Sequence, residues 1–145
     1  MNPLERSIRT HLLRALRDTA VAPSVEALAT AHDVSTAVVH DTLRSLARQH
    51  RLALRPHSDD LWMAHPFSAV PTDFVVTAGG RSWWANCVWD GLAILGIVGD
   101  GWLDTHSPQT GESIRLGVAH GTVTGDAIVH FLVPARHFWD DIGFT

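Results

Sequence analysis

The chain has no lysine: all eleven of its basic side chains are arginine, so its cationic surface is guanidinium alone. It has one cysteine, Cys87, which excludes an internal disulfide and fits a reducing compartment. It has no apolar run long enough to span a membrane, because Leu92–Val98 is broken by Gly96 and closed by Gly99-Asp100-Gly101. Its first residues, Met1-Asn2-Pro3-Leu4-Glu5-Arg6, lack the apolar core of a signal peptide. Repeats and low-complexity segments are missing as well. These absences lead to an expected cytoplasmic, soluble protein with no membrane partner. What is present agrees, since 46% hydrophobic and 18% charged residues are globular proportions. A chain of 145 residues makes one average domain or two small ones sharing a core.

The charges divide the chain. Residues 1–55 hold eight arginines against five acids and residues 56–145 hold three against ten, net +3 and −7 within the overall −4. That asymmetry marks a boundary near Arg55 and raises the question of nucleic-acid binding by the first part. Leu4, Ile8, Leu12, Leu13 and Leu16 have helical spacing, predicting a helix that runs to about Thr19 and ends at Ala20–Pro23. Ser24 is placed to cap a short helix from Val25 to His32, with Leu28 inward. Ser35 is placed to cap a longer one to about His50, with Val38, Val39, Leu43 and Leu46 inward. Leu52–Arg55 and Leu61–Ala64 read as short strands around the turn Pro56-His57-Ser58-Asp59-Asp60. Three helices followed by a hairpin make a winged-helix-like domain of residues 1–64. The obvious use of such a domain is DNA binding, with the third helix in the major groove. That helix offers Arg44 and Arg48 beside Asp41, and the wing carries Asp59-Asp60, which would repel phosphate. DNA binding is therefore not expected, and a structural cap on the second part is.

Residues 65–72, His65-Pro66-Phe67-Ser68-Ala69-Val70-Pro71-Thr72, read as a linker whose prolines favour extended backbone. Residues 73–145 form the second domain. Its expected elements are a strand at Phe74–Thr77, the turn Ala78-Gly79-Gly80, a helix from about Trp83 to Leu95 and a strand at Trp102–His106. The turn Ser107–Glu112 and a strand at Ser113–Val118 follow, then a strand at Ala127–Val133 with His130 between Ile128 and Leu132. Pro134 ends that strand, and a helical turn, Ala135–Asp141, precedes Ile142-Gly143-Phe144-Thr145. The fold class is α+β: a winged-helix-like three-helix part packed on a small mixed or antiparallel sheet, with a central helix carrying Cys87 and Asp90.

The central stretch, Arg81 to Gly96, holds the cysteine, three of the six tryptophans and a carboxylate three residues beyond the thiol. On a helix, i and i+3 share a face, so Cys87 and Asp90 would stand side by side. Trp83, Trp84, Trp89, Leu92, Ile94 and Leu95 would wall them in. An apolar wall favours the protonated form of a carboxyl and so makes a proton donor available near neutral pH. A lone cysteine on an apolar helix also serves as core filler, and the spacing alone leaves both readings open.

The run Trp84-Ala85-Asn86-Cys87-Val88-Trp89-Asp90, the turn Ser107-Pro108-Gln109-Thr110-Gly111-Glu112 and Val129-His130-Phe131 resemble the alkylmercury lyase (organomercurial lyase) family. The 65–72 stretch is similar to that family's linker, and the resemblance covers most of the chain. Its most specific piece is the Cys-x-x-Asp. It implies protonolytic cleavage of a carbon–mercury bond, in which two cysteine thiolates take the mercury of R–Hg+ and an Asp protonates the leaving carbon. Cys87 and Asp90 stand at the first thiol and the acid, with Cys87 the mercury ligand. Trp84, Trp89, His106, Ser107 and His130 are the expected pocket residues, Ser107 falling near a structural cysteine of some members. The second catalytic thiol has no counterpart in these residues, and in short relatives it directly follows a segment like Asp141–Thr145. A solution thiol, or His106 or His130, would then complete the metal's coordination; a structural role is the other reading of each histidine. No cofactor is implied, mercury being part of the substrate or product, and the partner is a small-molecule substrate. A derived small-molecule reaction using the same pair belongs to this reading. Its rivals are a winged-helix regulator that senses a ligand or thiophilic metal, and a non-catalytic binding module.

Overall fold

The computed structural model describes residues 1–144; Thr145, the last residue of the closing segment, lies outside them. Helix α1 (Pro3–Thr19) begins on a capping box: Asn2 accepts the Glu5 N–H, and the Glu5 carboxylate accepts the Asn2 N–H. The nearly buried Glu5 also accepts the Ser45 hydroxyl at 2.7 Å and the Gln49 amide at 3.0 Å. It thereby ties α1 to the end of the third helix. Ser24 caps α2 (Val25–His32) and Ser35 caps α3 (Thr36–Arg48), as their positions predict. Val39, Leu43 and Leu46 point inward, whereas Val38 lies one residue off that stripe and is 39% exposed. Strands β1 (Ala53–Leu54) and β2 (Leu61–Ala64) pair antiparallel, and Phe67–Ser68, in the connecting stretch, add β3 to the same sheet.

The remaining elements are β4 (Val75–Ala78), β5 (Arg81–Trp84), α4 (Val88–Val98), β6 (Gly101–His106), β7 (Ser113–Ala119) and β8 (Thr122–Thr124). Their strands make one antiparallel sheet in the order β5-β4-β6-β7-β8. The α+β class is therefore the observed one. Trp83 pairs with Val76, Val76 with Leu103 and Leu103 with Leu116, so four buried side chains cross the sheet in one row on one face. Ile94 and Leu95 of α4 are fully buried with them. Gly91 lets the helix approach closely, because a Cβ there would stand 2.7 Å from Leu103 Cδ2.

Two sequence expectations are corrected. The helix begins at Val88, not near Trp83, and Cys87 is its N-cap. The two-residue turn Gly79-Gly80, with φ of 56° and 75°, instead closes a hairpin that takes Trp83 and Trp84 into β5. Ala127–Val133 is not a strand. The tight turn at His120-Gly121, both at positive φ, folds Thr122–Thr124 back on β7 as the edge strand, and the chain joins the sheet no further. Residues 126–132 are consequently exposed, and a short 3-10 turn, Ala135–His137, is all that forms of the expected terminal helical turn. Among the described residues, no helix is long and apolar enough to cross a membrane.

One continuous core runs from Ile8, Leu12 and Leu16 of α1 through Phe67 to Val76, Trp83, Ile94 and Leu103. Trp83 fastens it, since its indole N–H donates to the Leu16 and Arg17 carbonyls at 2.9 and 3.0 Å. Those carbonyls belong to the last turn of α1, where intrahelical donors run out. We expect a single cooperative transition in denaturant by both tryptophan fluorescence and circular dichroism. Trp83→Phe should keep an aromatic ring buried but take the indole donor from the Arg17 carbonyl, the Leu16 carbonyl keeping the Ala20 N–H, at a cost of roughly 1–3 kcal/mol. Two separated transitions in the wild type would contradict the shared core.

Candidate active site

The site forms where the two sheets meet. Phe67 makes an isolated antiparallel bridge with Ala85, whose N–H donates to Phe74 O at 2.9 Å and whose carbonyl accepts the Thr72 hydroxyl at 2.6 Å. The bridge carries the end of β2 over the start of α4 and sets His65 against residues 86–90.

Cys87, as N-cap, accepts the Asp90 N–H on Sγ at 3.5 Å, a sulfur version of the usual hydroxyl cap. This makes the thiol and the acid neighbours across the first turn of α4, the relation that their spacing predicts, although Cys87 precedes the helix. The Asp90 side chain is 14% exposed, and its carboxylate is not walled by apolar groups alone. Its Oδ2 accepts from the Asn86 amide at 2.7 Å and lies at hydrogen-bond distance, 3.0 Å, from His65 Nδ1. The same Asn86 amide lies 3.3 Å from Pro66 O, which also accepts from it. Beside them is a cavity of about 900 Å³, with Met63, His65, Phe74, Asn86, Cys87, Trp89 and Asp90 on one wall. The closing segment, including Phe131, Leu132, Phe138 and Phe144, supplies the other. Trp139 holds that segment down: its ring stacks on His50 at 4.4 Å and meets His65 edge-on at 5.7 Å.

Of the residues that the sequence singles out, Cys87, Asp90 and Trp89 line this cavity. Trp84, His106, Ser107 and His130 are not part of its wall. Trp84 neighbours Trp83 on β5 and so points to the other face, half exposed. His106 is exposed at the end of β6. Ser107 shapes the following turn, its hydroxyl accepting the Thr110 N–H and its own N–H bonding to Glu112 O. His130 lies on the exposed segment beyond β8. His65 and Asn86 are the site residues that sequence reasoning missed. Asn86 stands beside the thiol in the chain, but nothing local shows that it donates to Asp90. His65 lies 25 residues from Asp90 and is found only through the fold.

Residues 67–145 match the alkylmercury lyase family. The chain belongs to that family. The solved structure of the mercury-bound form of MerB2 superposes with a TM-score of 0.68 at 22% identity, over 86% of this chain and 60% of that one. At that identity the likeness is one of fold, and the chain spans 60% of the length of that protein. No curated protein matches it.

Within this family member, two influences compete at the thiol. The N-terminus of α4 favours a thiolate, while burial disfavours one. Burial is the largest and pushes the Cys87 pKa up; the Asp90 and Trp89 N–H groups oppose it, and the Asp90 charge adds to it. The raised value keeps Cys87 a neutral thiol at pH values where a free cysteine, with its pKa of about 8.5, has begun to ionise. Alkylation by iodoacetamide near neutral pH should therefore be slower than for a free thiol. Its rate should still be climbing with pH where that of free cysteine has levelled off. A rate profile lying at or below the free-thiol midpoint would contradict the burial argument.

Proposed function

We propose that the chain cleaves carbon–mercury bonds by protonolysis, with Cys87 as the sulfur that takes the metal and Asp90 as the proton donor. The observation that supports this is the pairing of a thiol and a carboxyl across one helical turn, both on the wall of one cavity. An organomercurial R–Hg–X, with X a solution thiolate, exchanges X for Cys87: an S–Hg bond forms, and the Cys87 proton leaves with X. A second thiolate, from free thiol in excess, adds to the mercury. Sulfur is the soft donor that this soft metal prefers, and its donation pushes electron density onto carbon. The carbon–mercury bond then breaks with its electron pair on carbon, which takes the Asp90 proton. R–H departs, mercury remains Hg(II) on sulfur, and Asp90 is left as a carboxylate to be reprotonated from water. No cofactor enters this scheme. The aromatic lining, Phe74, Trp89, Phe131, Phe138 and Phe144, suits an apolar R group.

The winged-helix-like first part serves in this reading as a cap with little DNA affinity. Arg44, a phosphate contact in the alternative, is engaged by Asp59 and Asp41, which weighs against the regulator.

Incubation of the purified protein with methylmercury or phenylmercury and excess thiol, with the released hydrocarbon measured, tests the proposal. Asp90→Asn should lower turnover by roughly 10²–10⁴-fold, the usual loss on removing a general acid. It should leave Hg(II) capture, read as tryptophan quenching, nearly intact. Cys87→Ser should lose both. Equal quenching in wild type and Cys87→Ser would remove Cys87 from the metal's path, and unchanged turnover in Asp90→Asn would overturn the mechanism.

A further inference from the structure

The proton-donor reading of Asp90 leaves open which carboxyl oxygen carries the proton, and the hydrogen bonds around it decide this. A protonated carboxyl has one O–H, which donates, and one carbonyl oxygen, which only accepts. Both side-chain bonds to Asp90 converge on Oδ2, from Asn86 Nδ2 at 2.7 Å and His65 Nδ1 at 3.0 Å. Among the described residues no hydrogen bond reaches Oδ1. The Asn86 amide can only donate, so it holds Oδ2 as an acceptor; with the His65 proton on Nδ1 a second donor falls on the same oxygen and leaves the carboxyl proton to Oδ1. The Asn86 orientation is set by its second acceptor, Pro66 O at 3.3 Å, since a flipped amide would aim its own oxygen at both. His65 Nδ1 also lies 3.4 Å from the Asn86 amide, but the two amide N–H groups are taken by Asp90 Oδ2 and Pro66 O, so Nδ1 is left to meet Oδ2 as a donor.

We propose that His65 is a positioning residue for the reaction: with Asn86 it fixes Asp90 Oδ2 as the carbonyl oxygen, so that the transferable proton is held on Oδ1. The inference rests on the lyase reading above and goes beyond it by naming the group that orients the acid. The imidazole is suited to the task because it cannot swing freely. Its backbone continues into Pro66 and Phe67, the latter bridged to Ala85, and its ring is braced edge-on by Trp139. Loss of its N–H leaves one donor on Oδ2, and the carboxyl is free to rotate and present either oxygen.

Three variants and one spectrum test this. His65→Leu should lower kcat by roughly 10²-fold, the order expected when a reacting group is misplaced. Hg(II) quenching should stay close to wild type, because the sulfur that takes the metal is untouched, and since His65 also lines the cavity the loss should fall on kcat far more than on KM. His65→Asn puts an amide N–H where Nδ1 stood and should recover most of that loss. Asp90→Asn serves as the reference for loss of the acid itself. Nitrogen-15 NMR of the wild type should find the His65 proton on Nδ1, and this spectrum decides the matter if His65→Leu does not fold. A wild type that releases no hydrocarbon overturns the lyase reading, and this inference with it. A wild type that turns over, with His65→Leu equally fast or with the His65 proton on Nε2, overturns this inference alone.

Discussion

The bond from the Trp83 indole to the end of α1 is the constraint on which the rest of the molecule leans. A buried indole N–H needs an acceptor, and the Arg17 carbonyl at the end of α1 needs a donor; each meets the other's requirement here, with the capped Leu16 carbonyl a second acceptor for the indole. The two partners are about 66 residues apart in the chain, so the bond spans both halves and both sheets' neighbourhoods. It also fixes which way β5 faces. With Trp83 inward, alternation turns Trp84 outward and brings Ala85 inward to bridge Phe67. Asn86 and Cys87 follow at once. The chemistry-bearing residues thus start three positions after the fastening point, with little slack between.

Placing a thiol at a helix N-cap has a consequence for reactivity. A serine or threonine there would complete the cap with a short, strong bond, whereas sulfur at 3.5 Å from the Asp90 N–H makes a weaker one. The cap is thereby easily surrendered when the sulfur finds a better partner. Burial holds the thiol neutral against weak electrophiles. A soft metal displaces the proton outright, so the same environment that quiets the sulfur towards ordinary reagents leaves it open to mercury.

How much of this was legible depends on the range of the interaction. Caps at Ser24 and Ser35 and the antiparallel hairpins are local, and their residues announce them. The Cys-x-x-Asp neighbourhood survives even though the helix begins later than expected, because an N-cap and its third residue are as close as i and i+3 within a helix. Helix α4 starts later than the apolar pattern suggests because Trp-Trp-Ala fits a helix as well as a strand, and the signal that separates them, two glycines able to take positive φ, lies just upstream. Ala127–Val133 alternates well enough for a strand but pairs with no neighbour, and alternation cannot say whether a partner exists. His65 reaches Asp90 through a bridge between two sheets. No pattern in either segment records that meeting.

Gly91 gives the site its depth. With no Cβ at that position, α4 lies against Leu103 closely enough that even one methyl group would sit 2.7 Å from the leucine. The preceding residue is Asp90. The gap between helix and sheet is therefore also the setting of the acid, and a side chain at Gly91 would lift the carboxyl away from His65, which is anchored on the other sheet. Substrate range can drift by changes along the closing segment, whose Phe131, Phe138 and Phe144 form the far wall of the cavity. The helix seat has no such latitude: it behaves as a calibrated stop, while the rest of the pocket remains adjustable around it.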